Sequence, residues 1–312
     1  MKALQLVAQG QPLEAVDIEV DAPGPSDVIV RVEAAGICHS DVHYRSGPLG
    51  PAEFPVTLGH EVAGAIVAVG DAVAEERVGE RVCLHYQTSC GSCHWCTAGH
   101  EQFCADGQML GNSRHGGYAE FITVPSVNAV YLPDEVPMQH AAVMMCSSAT
   151  ALHALRQARV HTGDRVAIVG VGGLGLSAVQ LAAALGAEEV FAIDRNADRL
   201  HLAEELGAIP VDANEDPLAS VLDATGGGVD AAIELVGSGP TMSLTIDLLG
   251  PRGRAAIVGL SDATIELAPY GELVGREAEI VGVSDHLLAE IPDLLDLYVE
   301  GKLHLDKVVG LS

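Results

Sequence analysis

The N-terminal part of the chain is a series of short Val-rich runs separated by turn-forming residues. Three of these runs are DVIVRVEAAGIC from Asp27, EVAGAIVAVG from Glu61 and ERVCLHY from Glu80. Gly, Pro and Asp residues separate the runs, and β-branched residues fill them, which is typical of strands joined by turns. The pattern therefore predicts a β-rich region that extends to about residue 145.

The pattern changes near Ala149, where ALHALRQARV predicts a helix and strands begin to alternate with helices. The predicted strands are apolar on both faces, and they are DRVAIVGVGG, EEVFAID, VDAAIEL, RAAIVGL and AEIVGVS. The predicted helices that follow are LGLSAVQLAAALGA, NADRLHLAEELGA and, near the end, LLAEIPDLLDLYVEGK. Strands buried on both faces and joined by helices favour an α/β fold with a doubly wound parallel sheet.

The formal net charge of −27 limits the partners of the protein. Such a surface repels nucleic acids and anionic membranes, so we expect neither as a partner. Among the 16 basic residues only Lys2, Lys302 and Lys307 are lysines. An acidic, Lys-poor surface is typical of proteins from salt-loving organisms, and we favour this halophilic interpretation over that of a merely acidic protein.

The chain carries no pattern for a membrane span or a secretion signal. Its longest apolar run falls far short of the ~20 residues that cross a bilayer. The N-terminal MKALQLVAQGQPLEAVD lacks a charged region followed by an apolar stretch, so it does not fit a signal peptide. We therefore predict a cytoplasmic protein, in which the seven cysteines favour metal binding or catalysis over disulfides.

A glycine-rich turn lies between a predicted strand and a predicted helix. It comprises Gly170, Val171, Gly172, Gly173, Leu174 and Gly175 and fits the pattern G-x-G-x-x-G. Gly170 permits the tight turn, Gly172 lets the backbone approach a pyrophosphate, and Gly175 lets the helix pack close to the sheet. The helix N-terminus also offers N–H groups to phosphates. The alternative for these glycines is an ordinary strand–helix turn.

Asp194 strengthens the prediction of a dinucleotide site. It ends the next predicted strand, 19 residues after Gly175. A carboxylate at this place can bind both hydroxyls of an adenine ribose, and it repels a 2′-phosphate. NAD is therefore favoured over NADP, although Arg195 follows at once and can soften that preference.

Four cysteines lie close together in one short segment. They are Cys90, Cys93, Cys96 and Cys104, with the spacing C-x2-C-x2-C-x7-C. Four thiolates on one lobe can close a tetrahedral zinc site, which holds a loop and leaves no position open for chemistry. An iron–sulfur cluster and disulfides are the alternatives. We predict a structural zinc.

Two upstream motifs and one later cysteine suggest a second metal site. GICHSDVH follows one predicted strand, GHEVAG opens another, and Cys146 precedes the helix near Ala149. One Cys, one His and a second Cys form a three-ligand set that leaves a fourth position for water or substrate. Each residue alone is ambiguous, because a buried Cys is usually a small apolar core residue and a lone His usually serves packing.

The whole chain resembles the zinc-dependent medium-chain alcohol dehydrogenases. Five motifs occur in the order found there, and they are GICHSDVH, GHEVAGAIVAVG, the spaced cysteines, GVGGLG and MCSSATALHAL. The resemblance implies that residues 1–146 form a GroES-like catalytic domain and residues 147–282 an NAD-binding Rossmann domain. Residues 283–312 then form a C-terminal segment that returns toward the catalytic domain. Family members usually continue for roughly 30 residues more, so the resemblance also implies that a last helix and strand are absent.

The resemblance implies the ligands of the catalytic zinc, which leave room for substrate. They are Cys38, His60 and Cys146, with Glu61 beside them as an alternative ligand during exchange. Zinc polarises the alcohol oxygen and lowers its pKa. The expected cofactors are thus two zinc ions per chain, one catalytic and one structural, together with NAD.

The resemblance also implies roles for several polar residues. Ser40 is expected to contact the substrate oxygen, and His43 is expected to end the proton relay. His39 occupies a position that often contacts the pyrophosphate. Arg199 resembles a basic residue near the adenine ribose. Cys83 belongs to neither cysteine set, and we assign it to the core.

The function implied is hydride transfer between an alcohol and NAD, which gives an aldehyde or a ketone. The family forms dimers or tetramers through edge strands, and AEIVGVS is our candidate edge. One alternative is a polyol or amino-alcohol dehydrogenase of the same family, although polyol enzymes often carry Glu in place of Cys146. The other is a non-catalytic NAD-binding redox sensor, which the retention of the ligands with Ser40 and His43 disfavours.

Overall fold

The structure, a computed structural model, describes residues 1–47 and 49–310. These residues form two compact units. The first contains Met1–Ala149 and Leu287–Val299, and the second contains Thr150–His286 and residues 300–310. The last two residues of the predicted C-terminal segment, Leu311 and Ser312, lie outside the described part. Among the described residues, no helix combines the length and apolar character needed to cross a bilayer.

The first unit is built mainly from antiparallel strands. They are β1 (Lys2–Leu6), β2 (Leu13–Asp17), β3 (Asp27–Gly36), β4 (Val56–Thr57), β5 (Glu61–Val69), β6 (Arg81–Leu84), β7 (Gln87–Thr88), β8 (Gln108–Met109), β9 (Phe121–Pro125) and β10 (Ala129–Tyr131). A five-stranded sheet has the order β10-β6-β5-β3-β9, a three-stranded sheet the order β2-β1-β4, and β7 pairs with β8. The three Val-rich runs form β3, β5 and β6, which lie next to one another in the five-stranded sheet.

The first unit also carries short helices between its strands. They are α1 (His39–Ser46), α2 (His94–Thr97) and α3 (Met138–Val143). A π-helical turn, Met144–Ser148, continues α3 directly into α4 (Ala149–Gln157). Val28, Val30, Val62 and Ile66 of β3 and β5 pack in the core of this unit with Cys146 of the π turn.

The second unit is a six-stranded parallel sheet with helices between the strands. Its strands are β11 (Arg165–Val169), β12 (Glu189–Asp194), β13 (Ile209–Asp212), β14 (Val229–Glu234), β15 (Leu249–Ile257) and β16 (Glu279–Gly282). Its helices are α4 from Thr150 onward, α5 (Gly173–Ala184), α6 (Ala197–Glu205), α7 (Pro217–Thr225) and α8 (Gly239–Asp247). The order β13-β12-β11-β14-β15-β16, with every neighbouring pair parallel, is that of the doubly wound Rossmann sheet. The predicted fold class is therefore confirmed.

The last helix, α9 (Ile291–Val299), belongs to the first unit. The hydroxyl of Tyr298 lies 2.7 Å from Nδ1 of His140 on α3. Just before α9, the backbone N–H of Leu288 donates to a carboxylate oxygen of Glu101 at 2.7 Å. The chain thus returns to its N-terminal unit after it has completed the parallel sheet.

Candidate active site

The loop between β3 and α1 places the thiol of Cys38. Cys38 is the N-cap of α1, and its backbone N–H donates to Oδ2 of Asp41 at 3.0 Å. The Asp41 carboxylate thus caps the helix from its third residue, as in a capping box. Ser40 lies in the first turn, with its Oγ 3.7 Å from Sγ of Cys38. The helix cap therefore fixes both the thiol and the neighbouring hydroxyl.

Strand pairing brings His60 and Glu61 to the same place. Glu61 begins β5 and is paired with Gly36, the last residue of β3. His60 and Glu61 are only 1% and 3% exposed. A Cβ at Gly36 would lie 1.9 Å from Oε2 of Glu61, so a side chain at this position would displace the carboxylate. The buried pair therefore depends on the register of β3 against β5.

Cys146 completes the cluster from a π-helical turn. Its Sγ lies 3.7 Å from Sγ of Cys38, although 108 residues separate the two. One ligand atom each from Cys38, His60, Glu61 and Cys146 lie within 4.8 Å of one another. π-Helical turns are uncommon and occur often at functional sites, because they change the direction of one side chain within a helix. The structure therefore brings together all four side chains of the predicted catalytic set.

The donor set suits a zinc ion. Both ring nitrogens of His60 are buried without a hydrogen-bond partner of normal geometry, which is costly unless another ligand satisfies one of them. Nδ1 lies 3.7 Å from Oδ1 of Asp41, so Nε2 is the nitrogen left for a metal. Two thiols and an imidazole are typical of a catalytic zinc site with an open fourth position.

The electrostatics of the cluster favour a cation. The contact with Cys146 lowers the pKa of Cys38 to about 4, against the effect of burial. Burial and the charge of Cys38 raise the pKa of Glu61 to about 8. Burial lowers the pKa of His60, but Asp41 and Cys38 raise it more strongly, to about 10. The thiolate of Cys38 and the carboxyl group of Glu61 thus share one buried space, and a bound divalent ion would stabilise the charged form of both.

Asp41 and Tyr118 are parts of this site that sequence reasoning missed. The hydroxyl of Tyr118 donates to Oδ2 of Asp41 at 2.8 Å, while Oδ1 faces His60. Burial raises the pKa of Asp41, but His60 and the N–H of Cys38 lower it below its ordinary value. Burial and the charge of Asp41 raise the pKa of Tyr118, so this hydroxyl keeps its proton. Asp41 lies within the motif GICHSDVH, and this position is the sequence feature that could have identified it as part of the site.

Two predicted histidines lie on α1. His39 is exposed and His43 is half-buried. Their rings form an edge-to-face pair with centroids 5.1 Å apart. Of the two residues predicted to transfer the proton, Ser40 lies at the metal cluster. The ring of His43 pairs with the ring of His39, one helical turn away on α1. Their assigned roles stay predictions.

The four-cysteine segment forms a second compact cluster. The sulfur atoms of Cys90, Cys93, Cys96 and Cys104 all lie within 4.8 Å of one another. The Cys93 and Cys96 sulfurs are 3.4 Å apart, which is too long for a disulfide, and all four cysteines are free. Backbone N–H groups point at two sulfurs, from Cys93 to Cys90 at 3.3 Å and from Cys90 to Cys104 at 3.4 Å. Such bonds stabilise thiolates, so the cluster suits a closed metal site.

The glycine turn has the backbone that its pattern predicts. Gly170 has a φ of +94°, and α5 begins at Gly173 directly after the N-cap Gly172. A Cβ at Gly175 would lie 2.1 Å from the carbonyl oxygen of Gly170, so the helix starts as close to the turn as backbone allows. A Cβ at Gly172 would meet only Nη1 of Arg199, at 4.0 Å. The turn is thus open on one side and lies beside a cationic group.

Asp194 lies next to this turn at the end of β12. Its Oδ2 accepts the backbone N–H of Val171 at 2.9 Å, and Oδ1 accepts the N–H of Asn196 at 2.9 Å. Arg195 and Arg199 are both exposed. Leu174 is half-buried in the first turn of α5. The structure therefore places Asp194 and Arg199 against the glycine turn.

Glu234 is a further residue that sequence reasoning missed. It ends β14 and is fully buried. One of its oxygens accepts the backbone N–H groups of Val236 and Gly237, at 3.0 and 2.9 Å, and the hydroxyl of Thr241 at 2.7 Å. Val236 in turn lies against the glycine turn, because a Cβ at Gly170 would be 2.6 Å from its methyl group. The sequence feature that could have identified Glu234 is an acidic residue near the end of the apolar run VDAAIEL.

Comparison with known proteins defines the family. Residues 24–134 match the alcohol dehydrogenase GroES-like domain, and residues 173–300 match the zinc-binding dehydrogenase domain. The NAD-dependent alcohol dehydrogenase of Sulfolobus acidocaldarius is 36% identical over 100% of this chain and 93% of its own length. That of Sulfurisphaera tokodaii is 34% identical over 91% and 88%. The crystal structure of the alcohol dehydrogenase from Aeropyrum pernix superposes with a TM-score of 0.90 at 36% identity, over 97% of this chain and 90% of that one.

This chain belongs to the zinc-dependent medium-chain alcohol dehydrogenase family. The resemblance noted in the sequence is therefore confirmed. The family is one of zinc-binding dehydrogenases, so zinc is a cofactor of this protein.

Proposed function

We propose that the protein is a zinc-dependent, NAD-linked alcohol dehydrogenase that converts alcohols to aldehydes or ketones and back. The observation that carries the proposal is the convergence of Cys38, His60, Glu61 and Cys146 within 4.8 Å. These residues come from a loop, a strand and a π-helical turn, and packing alone has no need of two thiols, an imidazole and a carboxylate in one buried space. Its relatives at 34% and 36% identity are named NAD-dependent alcohol dehydrogenases.

Two sets of residues would hold two zinc ions. Cys38, His60 and Cys146 would hold the catalytic ion, with Glu61 as the alternative ligand, and the four-cysteine cluster would hold the structural ion. When bound, the catalytic zinc polarises the alcohol oxygen and NAD accepts the hydride. Burial of His60 and Glu61 keeps water from the ligands and so strengthens every electrostatic contact there.

Ser40 and His43 are the groups we assign to proton transfer. Oxidation of an alcohol releases one proton in addition to the hydride. Ser40 has its Oγ 3.7 Å from Sγ of Cys38, so it is placed to accept a hydrogen bond from a substrate hydroxyl at the metal cluster. His43 is half-buried on the same helix and delivers the proton to solvent.

The glycine turn is the cofactor site in this proposal. Gly170, Gly172, Gly173, Leu174 and Gly175 would contact the pyrophosphate through the backbone at the N-terminus of α5. Asp194 would bind the ribose hydroxyls, which favours NAD over NADP. The remaining assignments are His39 at the pyrophosphate and Arg195 and Arg199 near the adenosine ribose.

Three broader assignments accompany this function. Residues 1–146 would be the catalytic domain, 147–282 the NAD-binding domain and 283–312 the returning segment. We propose a homo-oligomer, a dimer or a tetramer, because β16 is an edge strand of the parallel sheet. A cytoplasmic location fits the seven cysteines, none of which forms a disulfide in the described part of the chain, and adaptation to high salt fits the net charge of −27.

The test combines metal analysis with an alcohol screen. We expect two zinc ions per chain and NADH formation with simple alcohols in preference to polyols and amino alcohols. Cys38→Ser should lose one zinc and lower turnover by roughly a thousandfold, since the charge-stabilising ion is lost, while NAD binding remains measurable. Cys83→Ala is the matched control, because Cys83 is a buried thiol outside both clusters, and it should keep both ions.

Three outcomes would contradict parts of this proposal. Near-normal turnover in Cys38→Ser would refute the catalytic metal site. One zinc per chain with no turnover would support an NAD-binding sensor instead. A strong preference for polyols would leave the assigned metal site unchanged and would identify polyols, not simple alcohols, as the substrate class.

A further inference from the structure

Tyr118 belongs to the first unit and lies beside the metal cluster, where its hydroxyl contacts Asp41. Its backbone N–H donates to the carbonyl of Leu58 at 2.9 Å, and its own carbonyl accepts the N–H of Leu4 at 2.8 Å. Its ring packs against the backbone of Gly59, where a Cβ would lie 2.5 Å from the ring. Gly59 has a φ of +95° and immediately precedes His60. The tyrosine is thus anchored on the same backbone that carries the histidine.

The hydroxyl of Tyr118 reaches from this anchor to Asp41. It lies 2.8 Å from Oδ2 of Asp41 and 3.0 Å from the carbonyl oxygen of Gly36. A phenol has one proton to donate, and an ionised carboxylate is the stronger acceptor. The carboxylate of Asp41 is therefore the main acceptor of the Tyr118 hydroxyl proton, and the carbonyl oxygen of Gly36 is the weaker acceptor.

The two oxygens of Asp41 have different partners. Oδ2 accepts the N–H of Cys38 and the hydroxyl of Tyr118, and Oδ1 faces Nδ1 of His60 at 3.7 Å. Rotation of a carboxylate about its last side-chain bond is soft, so a single hydrogen bond leaves its plane poorly fixed. Two donors on one oxygen fix the plane and direct the second oxygen at the imidazole.

We propose that Tyr118 is a positioning residue for the catalytic zinc, because its hydroxyl holds the Asp41 carboxylate in the orientation that keeps His60 in place. The proposal rests on the proposed function, since it requires His60 to be a zinc ligand. A histidine ligand whose second nitrogen faces an oriented carboxylate stays in one tautomer and one ring orientation, which slows the loss of the metal. Tyr118 acts one contact further out than Asp41.

Tyr118→Phe tests the hydroxyl alone. The phenyl ring keeps its packing on Gly59, and the backbone bonds of residue 118 are unaffected, so the variant is expected to fold. Zinc release from the loaded enzyme to a coloured chelator should show two phases, one for each site. We expect the phase of the catalytic ion to become about threefold to tenfold faster. This is less than the ~10–100-fold cost of replacing a direct partner of a zinc ligand, because Tyr118 acts through Asp41.

Two controls accompany this measurement. The ion of the four-cysteine cluster should leave at the wild-type rate, because Tyr118 has no part in that cluster. Tyr131→Phe removes a hydroxyl from an exposed tyrosine of the same unit and should change neither phase. Equal acceleration of both phases in Tyr118→Phe would indicate general loosening of the fold and would overturn the proposal.

Asp41→Asn separates positioning from a merely structural role. If Tyr118 acts through Asp41, Tyr118→Phe should have little further effect on zinc release in the Asp41→Asn background, so the two changes are not additive. Additive acceleration would refute the proposal, as would an unchanged release rate in Tyr118→Phe. Both results leave the function standing if the wild-type enzyme carries two zinc ions and oxidises alcohols, whereas a wild-type protein with one zinc and no turnover refutes the function itself.

Discussion

Gly36 shows how one residue sets the chemistry of a neighbour. Glu61 is 3% exposed, and a Cβ at Gly36 would overlap its carboxylate at 1.9 Å. Burial and the charge of Cys38 raise the pKa of Glu61 to about 8, so its charge is poised to respond to any cation nearby. The absence of a side chain at Gly36 therefore leaves the carboxylate in its place beside two thiols.

The predicted preference for NAD over NADP depends on Asp194. Asp194→Gly should lower the ratio of catalytic efficiency with NAD to that with NADP by about tenfold or more, which corresponds to ~1.4 kcal/mol. The reason is that the change removes the charge that repels a 2′-phosphate and the acceptor for ribose hydroxyls. Steady-state kinetics with both cofactors measure the ratio.

Asp198→Ser is the control for this experiment. Asp198 is an exposed acidic residue in the first turn of α6, four positions along the chain from Asp194. Its replacement removes the same unit of charge from the same region and should leave the ratio close to that of the wild type. An unchanged ratio in Asp194→Gly would contradict the role assigned to Asp194.

The residues of the metal cluster were predictable because they lie in ordered motifs, whereas their supporting contacts were not. Cys38, His60 and Cys146 follow from the resemblance. The hydrogen bond between Tyr118 and Asp41 joins positions 77 residues apart, and its existence depends on how Gly59 and the backbone around it fold. No local pattern encodes such a contact, so it appears only in three dimensions.

At the level of elements, hydrophobic runs predicted strands well where both faces are buried. β11, β12 and β14 are mostly buried and lie within the predicted runs, and β15 begins five residues earlier than RAAIVGL. β16 also lies within its predicted run, although none of its four residues is buried. The strand β13 was missed, because IPVD has one buried residue out of four and contains a proline. The helices α7 and α8 were also missed. The π-helical turn was not foreseen either, since its residues have an ordinary helical pattern.

The start of α5 gives a prediction about stability. Gly175→Ala would place a Cβ 2.1 Å from the carbonyl oxygen of Gly170, which belongs to the backbone and cannot rotate away. We expect a loss of about 1–3 kcal/mol in the free energy of unfolding, the usual cost of overpacking. Urea unfolding followed by circular dichroism measures this loss.

Gly173→Ala is the matched variant on the same helix. No atom lies within 4 Å of a Cβ built at Gly173, and α5 begins at this residue with ordinary helical backbone. Alanine there should leave the free energy of unfolding unchanged or raise it by about 0.4–1 kcal/mol, since it restricts the unfolded chain. Equal destabilisation of both variants would show that close packing at Gly175 is not the cause.

At the scale of the whole molecule, negative charge greatly exceeds positive charge. The chain has 43 acidic and 16 basic residues, so most carboxylates cannot pair with a cation. Arg159 and Arg254 even share one partner, Glu279. Repulsion among the remaining carboxylates opposes the compact state, and dissolved ions weaken it.

We therefore expect salt to stabilise the protein. The thermal midpoint should rise by about 5 °C or more between 0.01 M and 1 M potassium chloride, because the screening length falls from ~30 Å to ~3 Å. Differential scanning fluorimetry measures the midpoint. Sucrose at equal osmolality, which stabilises without ions, is the control and should give a smaller rise. A midpoint that falls or stays constant with salt would contradict the halophilic interpretation.

The two cysteine clusters differ in how much of the chain must exist before they can form. Cys90 and Cys104 are 14 residues apart, whereas Cys38 and Cys146 are 108 residues apart and meet only after β3 has paired with β5. Closing a long loop costs more entropy than closing a short one, and a metal stabilises whichever site it binds. During synthesis on the ribosome, the four-cysteine lobe can therefore load its ion as soon as it emerges, while the reactive ion enters only after the sheet around it is assembled.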